Sequence, residues 1–166
     1  MTDPTARLLV LGMGNDLLGD DAVGLLVARA TRQRLGHLPG CVIRETQEAG
    51  LALLDEIVGC EHLVIADAIE TGTVPPGHVH EFDADALMAH RVAGPHFVGL
   101  SESLALGRRL GMSMPRDACV VAVEIRTNLE LGAPVTPAVH HAVDVAAARI
   151  AQRVFDLLED PPASPD

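Results

Sequence analysis

The stretch Leu8-Leu9-Val10-Leu11-Gly12-Met13-Gly14-Asn15-Asp16-Leu17-Leu18-Gly19-Asp20-Asp21-Ala22-Val23-Gly24 decides how this chain reads. Four consecutive apolar residues bounded by glycine suit a strand buried on both faces. Gly12 and Gly14 let the backbone turn sharply just after it and leave room for a ligand or a neighbouring segment. An acidic turn follows, and from Val23 the residues Val23, Leu26, Val27 and Ala30 recur at spacings of three and four, the stripe of an amphipathic helix. The stretch is therefore strand, loop, helix, and places chemistry at the carboxyl end of the strand. A glycine-x-glycine after a first strand also opens the dinucleotide fingerprint, but Leu17 stands where that pattern needs its third small residue. Asp16, Asp20 and Asp21 would repel a pyrophosphate there.

Working outward, Gly36 ends the first helix and Pro39-Gly40 turns the chain into a second strand, Cys41 to Glu45. A second helix is expected from Gly50 to Val58, and a third strand, Leu63-Val64-Ile65-Ala66, runs straight into Asp67. His78 to Phe82 reads as a short fourth strand, and Asp83 as the cap of a small helix through His90. A helix from Val98 to Leu110, a strand from Cys119 to Ile125 and a closing helix from Val139 to Leu158 complete the pattern. Strands alternating with helices predict one α/β domain over residues 1–158, an open, mostly parallel sheet covered on both faces. A Pro-rich acidic tail, 159–166, follows it and is expected to be disordered.

Composition narrows the function. The chain of 166 residues has 12 basic and 23 acidic side chains, a formal charge of −11. That balance argues against nucleic acid or an anionic membrane as the main partner. Trp and Tyr are absent and Phe occurs three times, so base-stacking platforms are missing as well. Cys41, Cys60 and Cys119 are odd in number, widely spaced and set in apolar surroundings, the usage of reduced, buried thiols in a cytoplasmic protein. No basic, apolar leader opens the sequence, and no apolar run approaches membrane-spanning length.

In a doubly wound sheet, ligands bind in the crevice at the carboxyl ends of the strands where the winding reverses. Here that rule brings Asp20 and Asp21, after strand one, towards Asp67 at the end of strand three. Asp20 or Asp21 has a second reading as a helix cap. Asp67 is more telling, because a carboxylate directly after four buried residues must face a cleft, accept hydrogen bonds or meet a cation. Of eight histidines, His78 and His80 share a strand face and could chelate, though exposed edge residues explain them more cheaply. His140 and His141 open the last helix, and His37 and His62 sit in turns. His96 stands apart, held between a glycine-proline loop and the next helix. Two carboxylates and one imidazole suit a borderline divalent metal such as nickel or zinc with open positions, and suit calcium poorly.

These residues resemble the endopeptidases that mature nickel–iron (NiFe) hydrogenases. Four blocks carry the likeness: Leu11-Gly12-Met13-Gly14-Asn15 with Leu18-Gly19-Asp20-Asp21; Leu63-Val64-Ile65-Ala66-Asp67-Ala68; Pro95-His96 with Gly99-Leu100; and Val123-Glu124-Ile125, Leu131-Gly132 and Thr136-Pro137. The resemblance implies a sheet of about five strands, one antiparallel, between helices. It implies metal contacts at Asp21, Asp67 and His96, supported by a loop of Gly12, Gly14, Asn15 and Asp20. It further implies a protease that removes a C-terminal extension from the hydrogenase large-subunit precursor, activating the hydrogenase. Such enzymes hold no tightly bound metal of their own and recognise nickel already seated in the precursor.

Relatives often carry glutamate at the position of Asp21 and a different loop after strand two. The segment Glu45 to Gly50, with Gln47 and Glu48 at its centre, is the expected place for substrate selection. The alternative reading is a non-catalytic nickel-binding chaperone or sensor with the same Asp, Asp and His set.

Overall fold

The computed structural model describes residues 7–83, 97–127 and 130–159. In chain order the elements are β1 (Leu8–Met13), a 3-10 turn (Gly19–Ala22), α1 (Val23–Leu35), β2 (Cys41–Thr46), a second 3-10 turn (Gly50–Ala52), α2 (Leu53–Ile57), β3 (His62–Ile69), β4 (Val79–Asp83), α3 (Phe97–Arg109), β5 (Asp117–Glu124) and α4 (Pro137–Glu159). The five strands form one sheet in the order β2-β1-β3-β5-β4. All neighbours are parallel except β4 with β5. This is the mostly parallel sheet that the strand and helix pattern predicts, with the one antiparallel strand that the family resemblance implies.

Side-chain alternation sorts the core into two layers. Leu8, Val10, Val64, Ala66, Val121 and Val123 pack with α1 and α4 on one face. Leu9, Leu11, Met13, Leu63, Ile65, Val120 and Ala122 pack with Leu53 and Ile57 of α2 and with Leu100 and Leu104 of α3 on the other. The sheet is buried on both sides, so β1 and β3 need continuous apolar runs rather than alternating ones. The core is aliphatic, as the scarcity of aromatics requires.

Three expectations need correction. Strand β3 does not stop before Asp67 but runs on to Ile69, because Asp67, Ala68 and Ile69 continue the parallel register with Ala122, Val123 and Glu124 of β5. Asp83 is the last residue of β4, in register with Cys119, and so belongs to the sheet. The small helix expected after it, and the tail from 160 onward, lie outside the described residues. His62 is not in a turn. It opens β3 fully buried, with Nδ1 3.0 Å from Asp117 Oδ2 and Nε2 accepting from Arg116 at 3.2 Å. Burial, and then the Arg116 guanidinium, hold its pKa below the ordinary value.

The remaining boundaries move by a residue or two, except that α1 and α2 each begin with a 3-10 turn where the sequence suggests continuous helix. Among the described residues no helix is long and apolar enough to cross a membrane.

Candidate functional site

The chain leaves β1 for β2 on one side and returns to β3 on the other, so β1 and β3 are the neighbours at which the winding reverses. Glycines let the start of α1 sit directly on this edge. A Cβ at Gly24 would lie 2.0 Å from the Met13 carbonyl oxygen and 2.5 Å from that of Ala66. A Cβ at Gly12 would lie 2.5 Å from both the Ala28 Cβ and the Gly24 oxygen. Since real Cβ contacts are never so short, helix and strands approach backbone to backbone only because these positions are glycine. The helix entrance is thereby fixed against the residue that precedes Asp67.

The loop between β1 and α1 is closed by its own polar groups. Gly14 has φ of 151° and a Cβ there would lie 2.1 Å from the Asp21 carbonyl oxygen. The Asn15 N–H donates to Asp21 Oδ2 at 2.9 Å, and the Asn15 side chain accepts from the Leu17 N–H at 2.9 Å. Asp21 thus faces back across the loop mouth. Its neighbour Asp20 turns the other way: Oδ1 accepts from the Thr136 N–H at 2.6 Å and Oδ2 from the Thr136 hydroxyl at 2.9 Å. Thr136 immediately precedes α4, so Asp20, 8% exposed, clasps the acidic turn to the start of the closing helix. The paired aspartates face different partners, Asp20 meeting Thr136 and Asp21 meeting Asn15.

Asp67 is 1% exposed, on the α2 and α3 face of β3, and its Oδ1 accepts from the Ala68 N–H at 2.7 Å. The 3-10 turn carrying Asp20 and Asp21 lies against β3. The structure therefore brings the segments bearing Asp21 and Asp67 to one edge of the sheet. His96 lies outside the described residues, as does any contact it makes. The helix that follows it in sequence, α3, meets the loop after β2 at its first turn. A Cβ at Gly99 would lie 2.4 Å from the Gly50 Cα, and Ser103 Oγ donates to the Gly50 carbonyl at 2.8 Å. Among the described residues no group of three His, Cys, Asp or Glu side chains is placed to hold a metal ion.

The loop Glu45 to Gly50 is moored at both ends. Glu45 pairs with Arg29 at 2.7 Å and with Arg32 at 3.0 Å. Gln47 Nε2 donates to Asp16 Oδ1 at 3.3 Å, joining this loop to the one after β1. Between them opens a cavity of about 130 Å³ lined by Asp16, Leu25, Arg29, Glu45, Thr46 and Gln47. A larger one, about 400 Å³, lies at the amino ends of β3 and β5 between Leu63, Arg116, Cys119 and Arg153. Size alone would favour the second, but ligands of open α/β sheets bind at the carboxyl ends, where the two aspartates are.

Sequence reasoning missed Glu124. It ends β5, 1% exposed, on the same face as Asp67 and one strand away. Burial pushes its carboxyl up, but donors from the Gly72 N–H, the Thr71 hydroxyl, His80 and the Thr71 N–H outweigh that and hold it below the ordinary value. His80 Nε2 reaches it at 2.9 Å, so Glu124 fixes the orientation of this ring. The signal was available, since Glu124 follows Cys119 to Val123 as Asp67 follows Leu63 to Ala66. The three cysteines lie at or near the amino ends of β2, β3 and β5, away from Asp67, and burial pushes Cys41 and Cys60 each up to about 11 and raises Cys119 likewise.

Comparison with known proteins agrees with this architecture. Residues 46–153 match the family model described as hydrogenase maturation protease. The chain belongs to the hydrogenase maturation protease family. It is therefore a peptidase. Among curated relatives it is 34% identical over 148 residues to the hydrogenase 2 maturation protease of Escherichia coli strain K12, covering 87% of this chain and 88% of the relative. The solved hydrogenase maturating endopeptidase HybD of Escherichia coli superposes with a TM-score of 0.75 at 30% identity, over 91% of this chain and 93% of that one. HybD from Thermococcus kodakarensis gives a TM-score of 0.66 at 25% identity, over 89% and 98%.

Proposed function

We propose that this protease removes the C-terminal extension of a NiFe hydrogenase large-subunit precursor after nickel insertion, using the nickel carried by that substrate to recognise and orient it. One observation carries the reading: Asp67, buried at the carboxyl end of β3, lies on the strand against which the turn bearing Asp21 packs. Two carboxylates from separate elements, with the His96 imidazole, supply three hard or borderline donors to a nickel ion that arrives with ligands of its own. Three such side chains, with no thiolate among them, make a poor resident site. They are enough to complete a coordination sphere that the precursor begins. A precursor without nickel then loses both affinity and orientation, and cleavage waits for the metal.

Cys41, Cys60 and Cys119 lie at or near the amino ends of β2, β3 and β5, away from Asp67, so the cleavage is not assigned to a cysteine nucleophile. The reduced cysteines suit a cytoplasmic enzyme acting before its substrate is assembled. Gln47 and Glu48, on the moored loop beside the smaller cavity, choose among precursors. The test is to dialyse the purified protein against chelator, measure its metal content, and incubate it with nickel-loaded and nickel-free precursor. Little bound metal, and a peptide released from the loaded precursor alone, is the expected result. Stoichiometric zinc, or equal cleavage of both precursors, refutes it.

A further inference from the structure

Leu17 and Leu131 are among the most exposed large apolar side chains, at 60% and 76%. Scattered exposed leucines are ordinary and call for no explanation. These two lie on segments that meet. The Gly132 N–H donates to the Leu17 carbonyl at 2.8 Å, so two segments far apart in sequence meet at this bond. Beside it, a Cβ at Gly19 would touch the Ala133 Cβ at 3.4 Å, and Asp20 holds Thr136. Nor does Leu17 face solvent because its backbone is loose. The Leu17 N–H is bound by the Asn15 side chain, the Leu18 N–H by the Asn15 carbonyl and the Asp21 N–H by the Leu18 carbonyl. A well-bonded turn thus holds an apolar side chain in water within four residues of Asp21.

We propose that Leu17 and Leu131 form an apolar docking shoulder for the hydrogenase precursor, gripping an apolar segment of that chain beside the bond to be cut. The inference rests on the functional reading above and names where the substrate is held apart from its nickel. An apolar centre with a polar rim is the anatomy of a protein interface. Here the rim is acidic, with Asp16 and Glu130 beside the leucines in a chain of net charge −11. That charge disfavours a second copy of the same surface and suits a partner segment flanked by basic side chains. Because the turn is already ordered, little freedom is lost on docking. Leu17 sits on the same acidic turn as Asp21, so a segment gripped there is held beside that carboxylate.

The experiment compares wild type, Leu17→Ser, Leu131→Ser and the double variant in processing of nickel-loaded precursor, with melting temperature and sedimentation as controls. Loss of one buried leucine contact raises KM about tenfold for each single variant, and more for the double, while kcat holds. Melting temperatures stay within about 2 °C, since neither side chain is packed in the free protein. An unchanged KM in the double variant, with wild type processing normally, overturns the shoulder and leaves the functional reading standing. A wild-type dimer that the double variant dissociates also overturns it, by showing that a second copy is the occupant. No peptide from any form, wild type included, refutes both.

Discussion

Replacing Asp20 with alanine removes both acceptors that hold Thr136 and so cuts the acidic turn loose from α4. The two bonds measure 2.6 and 2.9 Å and involve a carboxylate that is 8% exposed. Hydrogen bonds to a charged group contribute about 1.5–3 kcal/mol each, and two sharing one carboxylate are not additive, so Asp20→Ala should cost about 2–4 kcal/mol. For a chain of this size that is a fall in melting temperature of about 5–15 °C. Thr136→Val removes only the hydroxyl and should cost about 1 kcal/mol. Denaturant unfolding of both single variants and the double then gives a coupling of about 1 kcal/mol, because once Asp20 is gone the hydroxyl has lost its acceptor. Below its melting transition Asp20→Ala should still release peptide, at reduced rate, since the turn is loosened but Asp21 and Asp67 remain. An alanine variant as stable as wild type, or costs that simply add, would refute the assignment of Asp20 as a clasp.

Exchanging Glu45 to Gly50 for the loop of a relative with a different substrate should shift which precursor is cut, read by competition between two precursors; unchanged preference would reduce the loop to a connector. His62 gives a prediction in pH. Its folded pKa lies below the unfolded value near 6.5, so the unfolded chain binds the proton more readily between the two. The stability its neutral form provides is complete above that value and is lost as pH falls through the folded pKa. Melting temperature should therefore drop from pH 7 towards pH 5, and His62→Gln should flatten that slope; an identical slope in the variant would assign it to other groups.

Much of this was legible in the sequence, for reasons that can be named. Leu8 to Leu11 and Leu63 to Ala66 announce doubly buried strands because a parallel sheet between helices has no solvent face to encode. The meeting of the turn at Asp21 with β3 follows from winding order, which the alternation of strands and helices implies. The different partners of Asp20 and Asp21 were not legible, because that of Asp20 is Thr136, which reaches the turn only through the packing of α4. His62 was misplaced for a similar reason. Glu61 and His62 look like a polar connector, yet Arg116, just before β5, bonds the buried ring at 3.2 Å and Asp117, the first residue of β5, lies 3.0 Å from its other nitrogen. Glu124 escaped notice as an individual residue because its donors, Thr71, Gly72 and His80, come from two other segments.

The claim at the centre of this account is that the carboxyl end of β3 is where nickel-bearing precursor is received. Its most direct test is the processing rate of Asp67→Asn, with His96→Ala alongside, on nickel-loaded precursor, each variant checked by circular dichroism and unfolding. The amide keeps the size of the side chain and an acceptor for the Ala68 N–H but gives up the anionic donor. Both variants should fold and release no detectable peptide under conditions where wild type runs to completion. A folded Asp67→Asn that processes the precursor at the wild-type rate would contradict the account and move the site elsewhere.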